Sequence, residues 1–101
     1  IVAARMPAGV TLTDLGHGFA EATRTGVSKA TAMEAVRSSL GREWRTMALG
    51  DSDNDLPMLR AADVSVAMGN GNDNAKAAAT WVTTDLHHDG LAHALAHFGL
   101  I

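Results

Sequence analysis

The chain has 101 residues, enough for one modest domain, and 47% of them are apolar, so we expect a buried core. Its 8 Lys and Arg residues stand against 11 Asp and Glu residues, which excludes the basic surface that nucleic-acid binding needs. There is no cysteine for a disulfide or a thiolate metal site, and no apolar run approaches the roughly 20 residues of a membrane span. We therefore expect a cytoplasmic protein that binds neither nucleic acid nor membranes. The initial Ile1 indicates a processed chain or a piece of a longer one.

The first part of the chain, residues 9–26, alternates polar and apolar residues in two runs that are broken at LGHG. This pattern predicts a β-hairpin with Gly16 and Gly18 in its turn. The period then changes to that of a helix, which is predicted to run from Ser28 as N-cap to Gly41 at its end.

Short apolar strands alternate with helices in the rest of the chain. Strands are predicted at 46–50, 64–69 and 81–84, and helices at 54–62, 72–79 and 89–99. This order predicts an α/β fold, namely half of a doubly wound, Rossmann-like parallel sheet with helices on both faces. The composition changes at about residue 26, which is the candidate domain boundary.

An acidic cluster follows the strand at 46–50 directly: Asp51, Asp53 and Asp55 occupy alternate positions. Ligands of open parallel sheets bind beyond the carboxyl ends of the strands, and Gly50 allows a sharp turn there. Carboxylate oxygens suit Mg²⁺ or Ca²⁺ rather than soft metals.

A calcium-binding EF-hand is excluded, because Leu56 stands where that loop needs glycine and Ala62 where it needs glutamate. The alternative to metal binding is that these aspartates form turns and cap a helix. We favour that role for Asp53, and a metal or phosphate role for Asp51 together with Asp55.

Three separated motifs now indicate a family: GVSKATAM, GDSDND and VAMGNGNDNAKAAATWVTTDLHHDGLAHAL, in this order. Together they resemble the C-terminal half of a haloacid dehalogenase (HAD) superfamily phosphatase of the Cof-like, sugar-phosphatase branch. The resemblance implies phosphoryl transfer to an aspartate, followed by hydrolysis of the aspartyl-phosphate. It also implies a Mg²⁺ cofactor and a small phosphorylated metabolite as substrate.

The resemblance assigns roles to four residues. Lys29 neutralises the phosphoryl group and the nucleophile, and Asp51 binds Mg²⁺. Asn54 contacts the phosphate, and Asp55 supports the metal site or joins it. A metal ion and a lysine stabilise the charge that spreads over the oxygens of a phosphoryl transition state.

One motif of the family is absent, because no Asp-x-Asp precedes Lys29 and the only earlier aspartate is Asp14. The resemblance therefore assigns residues 1–26 to the last strands of a cap domain and residues 27–101 to the second half of the core. We expect the chain to be inactive alone, with strand 46–49 as an exposed edge. The missing N-terminal half, a second chain or a swapped homodimer would complete it. The alternative is a catalytically inactive remnant that binds Mg²⁺ or phosphate, or serves as an assembly partner.

The GNGNDN segment, residues 69–74, imitates the start of a dinucleotide-binding fingerprint, but Asn74 replaces its third glycine. Nucleotide binding is therefore the weaker hypothesis. The family resemblance makes this segment a structural loop, in which Asn70 helps to order the acidic turn.

The remaining candidates are expected to be structural. His93 and His97 should face solvent, since an apolar stripe occupies the other face of the last helix. Trp44 and Trp81 are expected to fill the core or a sheet edge. The other residues expected in the core are Met47, Met58 and Met68, and those of the stripe are Leu91, Leu95 and Phe98.

Overall fold

A computed structural model describes residues 8–16, 18–41 and 43–101. The chain forms a two-stranded antiparallel sheet, followed by a three-stranded parallel sheet with helices, which confirms the predicted α/β class. The strands are β1 (Val10–Gly16), β2 (Phe19–Arg24), β3 (Met47–Gly50), β4 (Val64–Ala67) and β5 (Trp81–Val82). The α-helices are α1 (Lys29–Leu40), α2 (Leu56–Ala61), α3 (Asp73–Ala78) and α4 (Gly90–His97), and 3₁₀ turns span Asp53–Asp55 and Leu86–His88.

Strands β1 and β2 form the predicted hairpin, in which Thr11 lies opposite Thr23 and Thr13 lies opposite Glu21. Side chains alternate between the two faces of a strand, so these four residues share one face. Gly18 has φ +80, a conformation that suits glycine, which agrees with its predicted place in the turn. His17 of the turn, and residues 1–7 of the predicted cap segment, lie outside the described residues.

Helix α1 begins and ends where local signals predict. The Ser28 hydroxyl accepts a hydrogen bond from the backbone N–H of Thr31 at 3.2 Å, and the Thr31 hydroxyl oxygen accepts one from the backbone N–H of Ser28 at 2.8 Å. This reciprocal capping box satisfies two amides at the helix start. Gly41, with φ 116, ends the helix and donates its N–H to the carbonyl of Arg37.

The parallel sheet has the order β3-β4-β5, and its core is built from small residues. Helices α2 and α3 pack against it through Leu59 and Ala75, which join Ala48 and Ala67 in one buried cluster. Both Leu59 and Val66 are fully enclosed. Strand β3 is an edge strand of the described sheet, as the resemblance predicted.

The later elements are shorter than predicted, because contacts outside the strands redirect the chain. Strand β4 stops at Ala67, after which the Gly71 N–H donates to the carbonyl of Met68 and closes a turn. Strand β5 has two residues rather than four, since the buried Thr83 hydroxyl donates to the carbonyl of Gly90 and turns the chain toward α4. The predicted helix 54–62 becomes a 3₁₀ turn followed by α2.

Trp44 lies at a sheet edge, the second of the two places predicted for it, where it is 54% exposed and lines an open surface cleft beside Met47 of β3. The expectation that Leu91 belongs to a buried stripe is wrong. Leu91 is 55% exposed, whereas Gly90 and Ala94 are the buried residues of α4. The three methionines expected in the core are half-buried, and Met58 packs against the buried cluster.

The histidines of α4 are exposed, as predicted, but one has a partner that the pattern did not reveal. The His97 ring stacks on Trp81 with 3.9 Å between ring centroids, and Phe98 packs edge-on against both rings. Trp81 itself is half-buried at the sheet edge, as expected. In the described ranges, every helix is too short or too polar to cross a bilayer.

Candidate active site

The acidic loop leaves β3 at its carboxyl end and folds back on itself. A Cβ atom at Gly50 would lie 2.6 Å from the Cβ of Asp55, so only glycine lets that side chain tuck beneath the strand end. Asp55 is consequently almost fully buried, with 3% of its surface exposed. The requirement for Gly50 thus comes from close approach, in addition to the turn that the sequence suggested.

Both oxygens of the buried Asp55 carboxylate have partners. Oδ1 accepts a hydrogen bond from Lys29 Nζ at 2.5 Å, which forms an ion pair across 26 positions of sequence. Oδ2 accepts from the backbone amides of Asp51 at 2.9 Å and Ser52 at 3.3 Å. One side chain therefore ties the start of α1 to the acidic loop.

These contacts also set the charge of the pair. Burial alone would raise the pKa of Asp55, but the hydrogen bond from Lys29 and the amides of Asp51 and Ser52 outweigh it. The pKa of Asp55 therefore lies below its ordinary value of 3.8, and the carboxylate stays ionised at neutral pH.

Asp53 has the structural role that the sequence favoured. Its Oδ1 accepts hydrogen bonds from the side-chain amides of Asn72 at 3.0 Å and Asn74 at 3.2 Å. Asn72 also donates its backbone N–H to the carbonyl of Asp51 at 2.8 Å and caps α3 through Ala75. The loop after β4 therefore holds the loop after β3.

The prediction that Asn70 orders the acidic turn is wrong. Its side-chain oxygen accepts a hydrogen bond from the backbone N–H of Leu86, in the next loop, at 2.9 Å. Sequence reasoning missed Asn72, although an asparagine directly before a short helix is a capping signal.

Asp51 and Asn54 offer groups that a ligand can use. No hydrogen bond or ion pair joins the exposed Asp51 carboxylate to any of the described residues. Asn54 accepts a hydrogen bond from the Ser52 hydroxyl at 2.6 Å through its oxygen, which leaves its Nδ2 group without a partner in the described part of the chain. A free carboxylate suits a cation, and a free amide N–H₂ suits an anion.

An open cleft of about 570 Å³ separates the hairpin from the start of α1 and the acidic loop. Lys29 and Asn54 lie on the core side of this cleft, together with Asp53. The hairpin side consists of the face that carries Thr11, Thr13, Glu21 and Thr23. The volume is in the range of small-molecule sites, ~300–1,000 Å³.

The described residues contain no group of three or more His, Cys, Asp or Glu side chains that is close enough to hold a metal ion. A cation at Asp51 would therefore draw its other ligands from water, from a substrate or from another segment. Magnesium sites commonly have this composition, with one or two carboxylates and several waters.

Three backbone amides of the GNGNDN loop, including those of both glycines, are already engaged within the chain. The backbone N–H of Gly69 donates to Thr84, that of Gly71 to Met68 and that of Asn72 to Asp51. A dinucleotide-binding loop needs such amides to point at the phosphates. The geometry therefore disfavours nucleotide binding at this loop.

Comparisons with known proteins identify the family of the chain. The family profile of the haloacid dehalogenase-like hydrolases matches residues 2–95. The 5-amino-6-(5-phospho-D-ribitylamino)uracil phosphatase YcsE of Bacillus subtilis is 40% identical over 81 residues, which cover 79% of this chain and 32% of the relative. A phosphoglycolate phosphatase of Methanothermobacter thermautotrophicus is 37% identical over 83 residues, which cover 80% of this chain and 38% of the relative.

Two solved structures show the same fold. A HAD subclass IIB sugar phosphatase superposes with a TM-score of 0.83 and 35% identity, covering 92% of this chain and 36% of that protein. A haloalkanoate-superfamily phosphatase from Bacteroides thetaiotaomicron gives 0.82 and 38%, covering 92% of this chain and 35% of that protein. The chain thus spans about a third of the length of these relatives. It belongs to the haloacid dehalogenase-like hydrolases, and its structural neighbours are Cof-like phosphatases of subclass IIB.

Proposed function

We propose that this chain is the C-terminal part of a Mg²⁺-dependent phosphatase that hydrolyses small phosphorylated metabolites through an aspartyl-phosphate intermediate. The observation that carries the proposal is the Lys29–Asp55 ion pair at a cleft of metabolite size, beside the unpartnered groups of Asp51 and Asn54. Relatives named as phosphatases of small phosphorylated compounds support it.

Each of these groups has a role in phosphoryl transfer. The Lys29 ammonium, which Asp55 holds in place, would pair with oxygens of the phosphoryl group as negative charge spreads over them. The Nδ2 group of Asn54 would donate a hydrogen bond to the same phosphate. Because these donors are positioned before the substrate arrives, little reorganisation is needed in the transition state.

Asp51 is the residue that we assign as a direct Mg²⁺ ligand, because its exposed carboxylate accepts no hydrogen bond from the described residues. When bound, Mg²⁺ would supply positive charge that neutralises the phosphoryl oxygens. Both Asp55 oxygens are already engaged, which favours a supporting role for this residue. Direct ligation by Asp55 stays a prediction.

The nucleophile and the general acid/base are proposed to come from a segment other than these 101 residues. The Asp-x-Asp pairs of the chain all lie within residues 51–55, where Asp53 and Asp55 are bound to asparagines, lysine and backbone amides. The missing part would be an N-terminal half of the same protein or a second chain, and a swapped homodimer is the other arrangement. Residues 1–26 would then belong to a cap domain and residues 27–101 to the core, in a cytoplasmic enzyme.

The edge strand β3 offers a place for that segment. Its backbone is available for pairing along one side, and an open cleft of about 380 Å³ lies next to it. Exposed apolar side chains line this cleft: Val36, Leu40 and Trp44. A strand that pairs with β3 in parallel would bring its own carboxyl end next to Asp51, where a nucleophile is needed.

A second candidate is a catalytically inactive member that binds Mg²⁺ or phosphate or serves as an assembly partner. The exposed carboxylate of Asp51, which has no partner among the described residues, would suffice for such Mg²⁺ binding. It differs from the main proposal in one respect, since no added segment would restore turnover.

The test is hydrolysis of p-nitrophenyl phosphate, with and without Mg²⁺, by this chain and by the complete protein that carries it. Intact mass verifies each sample. We expect no turnover from the 101-residue chain and Mg²⁺-dependent turnover from the complete protein, which Asp51→Asn abolishes. Asp73→Asn, an exposed aspartate on α3, is the matched control and should retain activity.

Turnover by the isolated chain would show that it contains a nucleophile, and our account of the missing part would be wrong. Full activity of Asp51→Asn would refute the metal assignment. An inactive complete protein that still binds Mg²⁺ would support the second candidate.

A further inference from the structure

The hairpin face that lines the cleft carries one charged group. Its four residues are three threonines and Glu21, placed together by the antiparallel register. The Thr11 hydroxyl shares a hydrogen bond with Thr25 at 3.0 Å. The hydroxyls of Thr13 and Thr23 and the Glu21 carboxylate have no partner among the described residues, so they are available to a ligand.

The charges around the cleft are unequally distributed. Of the described lining residues, Lys29 is the one cation, and it is already paired with Asp55 at 2.5 Å. Glu21 lies on the opposite wall. A phosphate can displace water from Lys29 and Asn54, but a second anionic group on the substrate finds no described cation to pair with. It would instead approach a carboxylate of like charge.

We propose that Glu21 is a specificity-determining residue, which favours phosphate esters whose leaving group carries hydroxyl or amino donors and disfavours those that carry a carboxylate. This inference rests on the proposed function, because it takes Lys29 and Asn54 to hold the phosphate. The leaving group then extends across the cleft to the hairpin. There, Glu21 accepts hydrogen bonds from the leaving group, and Thr13 and Thr23 donate or accept.

The inference separates two substrate types that the relatives' names suggest. One relative is named for a phosphorylated ribityl compound, whose chain carries several hydroxyl groups, and another for phosphoglycolate, which carries a carboxylate. The hydroxyl-rich wall and its unpartnered carboxylate fit the first type. A site for the second type needs an additional cation on the same wall.

The test compares kcat/KM of the complete enzyme for a polyol phosphate, ribitol 5-phosphate, and for phosphoglycolate, with p-nitrophenyl phosphate as a general substrate. Wild type should prefer the polyol ester. Glu21→Gln keeps the size of the side chain and removes its charge. It should lower the ratio of polyol ester to phosphoglycolate by about tenfold or more, which is the scale of one hydrogen bond to a charged group. Glu21→Arg should lower the ratio further. Glu43→Gln, a glutamate outside the cleft, should leave it unchanged.

The ratio distinguishes specificity from structure, because a variant that only perturbs folding lowers both kcat/KM values together. A ratio that stays within twofold of wild type in both Glu21 variants would overturn the inference. So would a wild-type preference for phosphoglycolate. If wild type hydrolyses none of the three esters with Mg²⁺, the proposed function itself fails, and the inference fails with it.

Discussion

The hairpin lines one side of the cleft, and the acidic loop that follows strand β3 of the parallel sheet lines the other, but the two sheets are built differently. In β4, Ser65, Val66 and Ala67 are buried, whereas every residue of β2 is exposed or half-buried. A two-stranded hairpin is marginally stable by itself, while a sheet that packs against helices holds its geometry. The difference indicates that the sheet holds the groups that we propose to bind phosphate, and that substitutions in the hairpin wall cost less stability.

Helix α1 connects the hairpin to the parallel sheet, and an ion pair joins it to the acidic loop. The described helix α1 follows the hairpin directly and has no buried residue, yet its first residue, Lys29, is paired with the buried Asp55.

The largest effect on activity is expected at Lys29, which lies at the start of the exposed helix α1 and pairs with the buried Asp55. Lys29→Met should lower kcat/KM of the complete enzyme for p-nitrophenyl phosphate by about 10²–10³-fold, because a preorganised charge is lost. The matched control is Lys76→Met, on α3 and outside the cleft, which should retain activity within a few-fold. Equal activity of the two variants would contradict the role of Lys29.

Next come two leucines, one from each region. Leu59→Ala should lower the free energy of unfolding by about 3 kcal/mol, since this side chain is enclosed and its removal leaves a cavity. Leu12→Ala, in the half-buried position of β1, should cost less than about 1 kcal/mol. Urea unfolding of both variants measures this difference. Similar losses would show that the hairpin is as well packed as the sheet.

Two glycines, one from each region, differ in how strictly the fold requires them. A Cβ at Gly71 would lie 2.9 Å from the Met68 carbonyl and 3.1 Å from the Asp51 Cα, so Gly71→Asn should displace the acidic loop and cost about 1–3 kcal/mol. At Gly18, with φ +80, a Cβ meets nothing within 4 Å, and asparagine tolerates this conformation, so Gly18→Asn should cost less than about 1 kcal/mol. Calorimetry should also show weaker Mg²⁺ binding in the Gly71 variant alone.

The smallest effect is expected in the dependence of the unfolding free energy on acidic pH. The folded-state pKa of Asp55 lies below 3.8, so its contribution to stability is complete above that value and is lost as the pH falls through the lower folded value. Asp55→Asn should reduce the dependence of the unfolding free energy on pH in this acid range, which acid titration of stability measures. The pKa of Asp63 is also lowered, by the Thr46 backbone amide, but Asp63 is exposed, so Asp63→Asn should flatten the curve less. A larger effect at Asp63 would contradict the importance of burial.

The order of elements was predictable because each depends on local signals. Helix α1 is the clearest case, since Ser28, Thr31 and Gly41 determine its ends through contacts within a few residues. The lengths of β4 and β5 were not predictable. Strand β5 ends where Thr83 meets Gly90, and such contacts exist only after the chain has folded.

The site was predictable in part for the same reason. Asp51, Asp53 and Asp55 lie together because they are neighbours in sequence, but nothing in the sequence predicted that Lys29, which is 26 positions away, pairs with Asp55. Asn70 and Asn72 are both asparagines and lie two positions apart in the sequence, yet only Asn72 contacts the acidic loop. The distance from each to the acidic loop depends on how the loops after β3 and β4 meet, and periodicity does not contain that information.

The positions of the two tryptophans allow intrinsic fluorescence to report on the two edges of the parallel sheet separately. Trp44 is 54% exposed beside edge strand β3, whereas Trp81 lies on the opposite edge strand, stacked on His97. Their emission should therefore differ, with a longer wavelength for the hydrated indole of Trp44. Any segment that covers β3 would shift the Trp44 emission to shorter wavelength and leave Trp81 unchanged. Variants with a single tryptophan would thus allow assembly at one edge of the sheet to be followed separately from unfolding at the other.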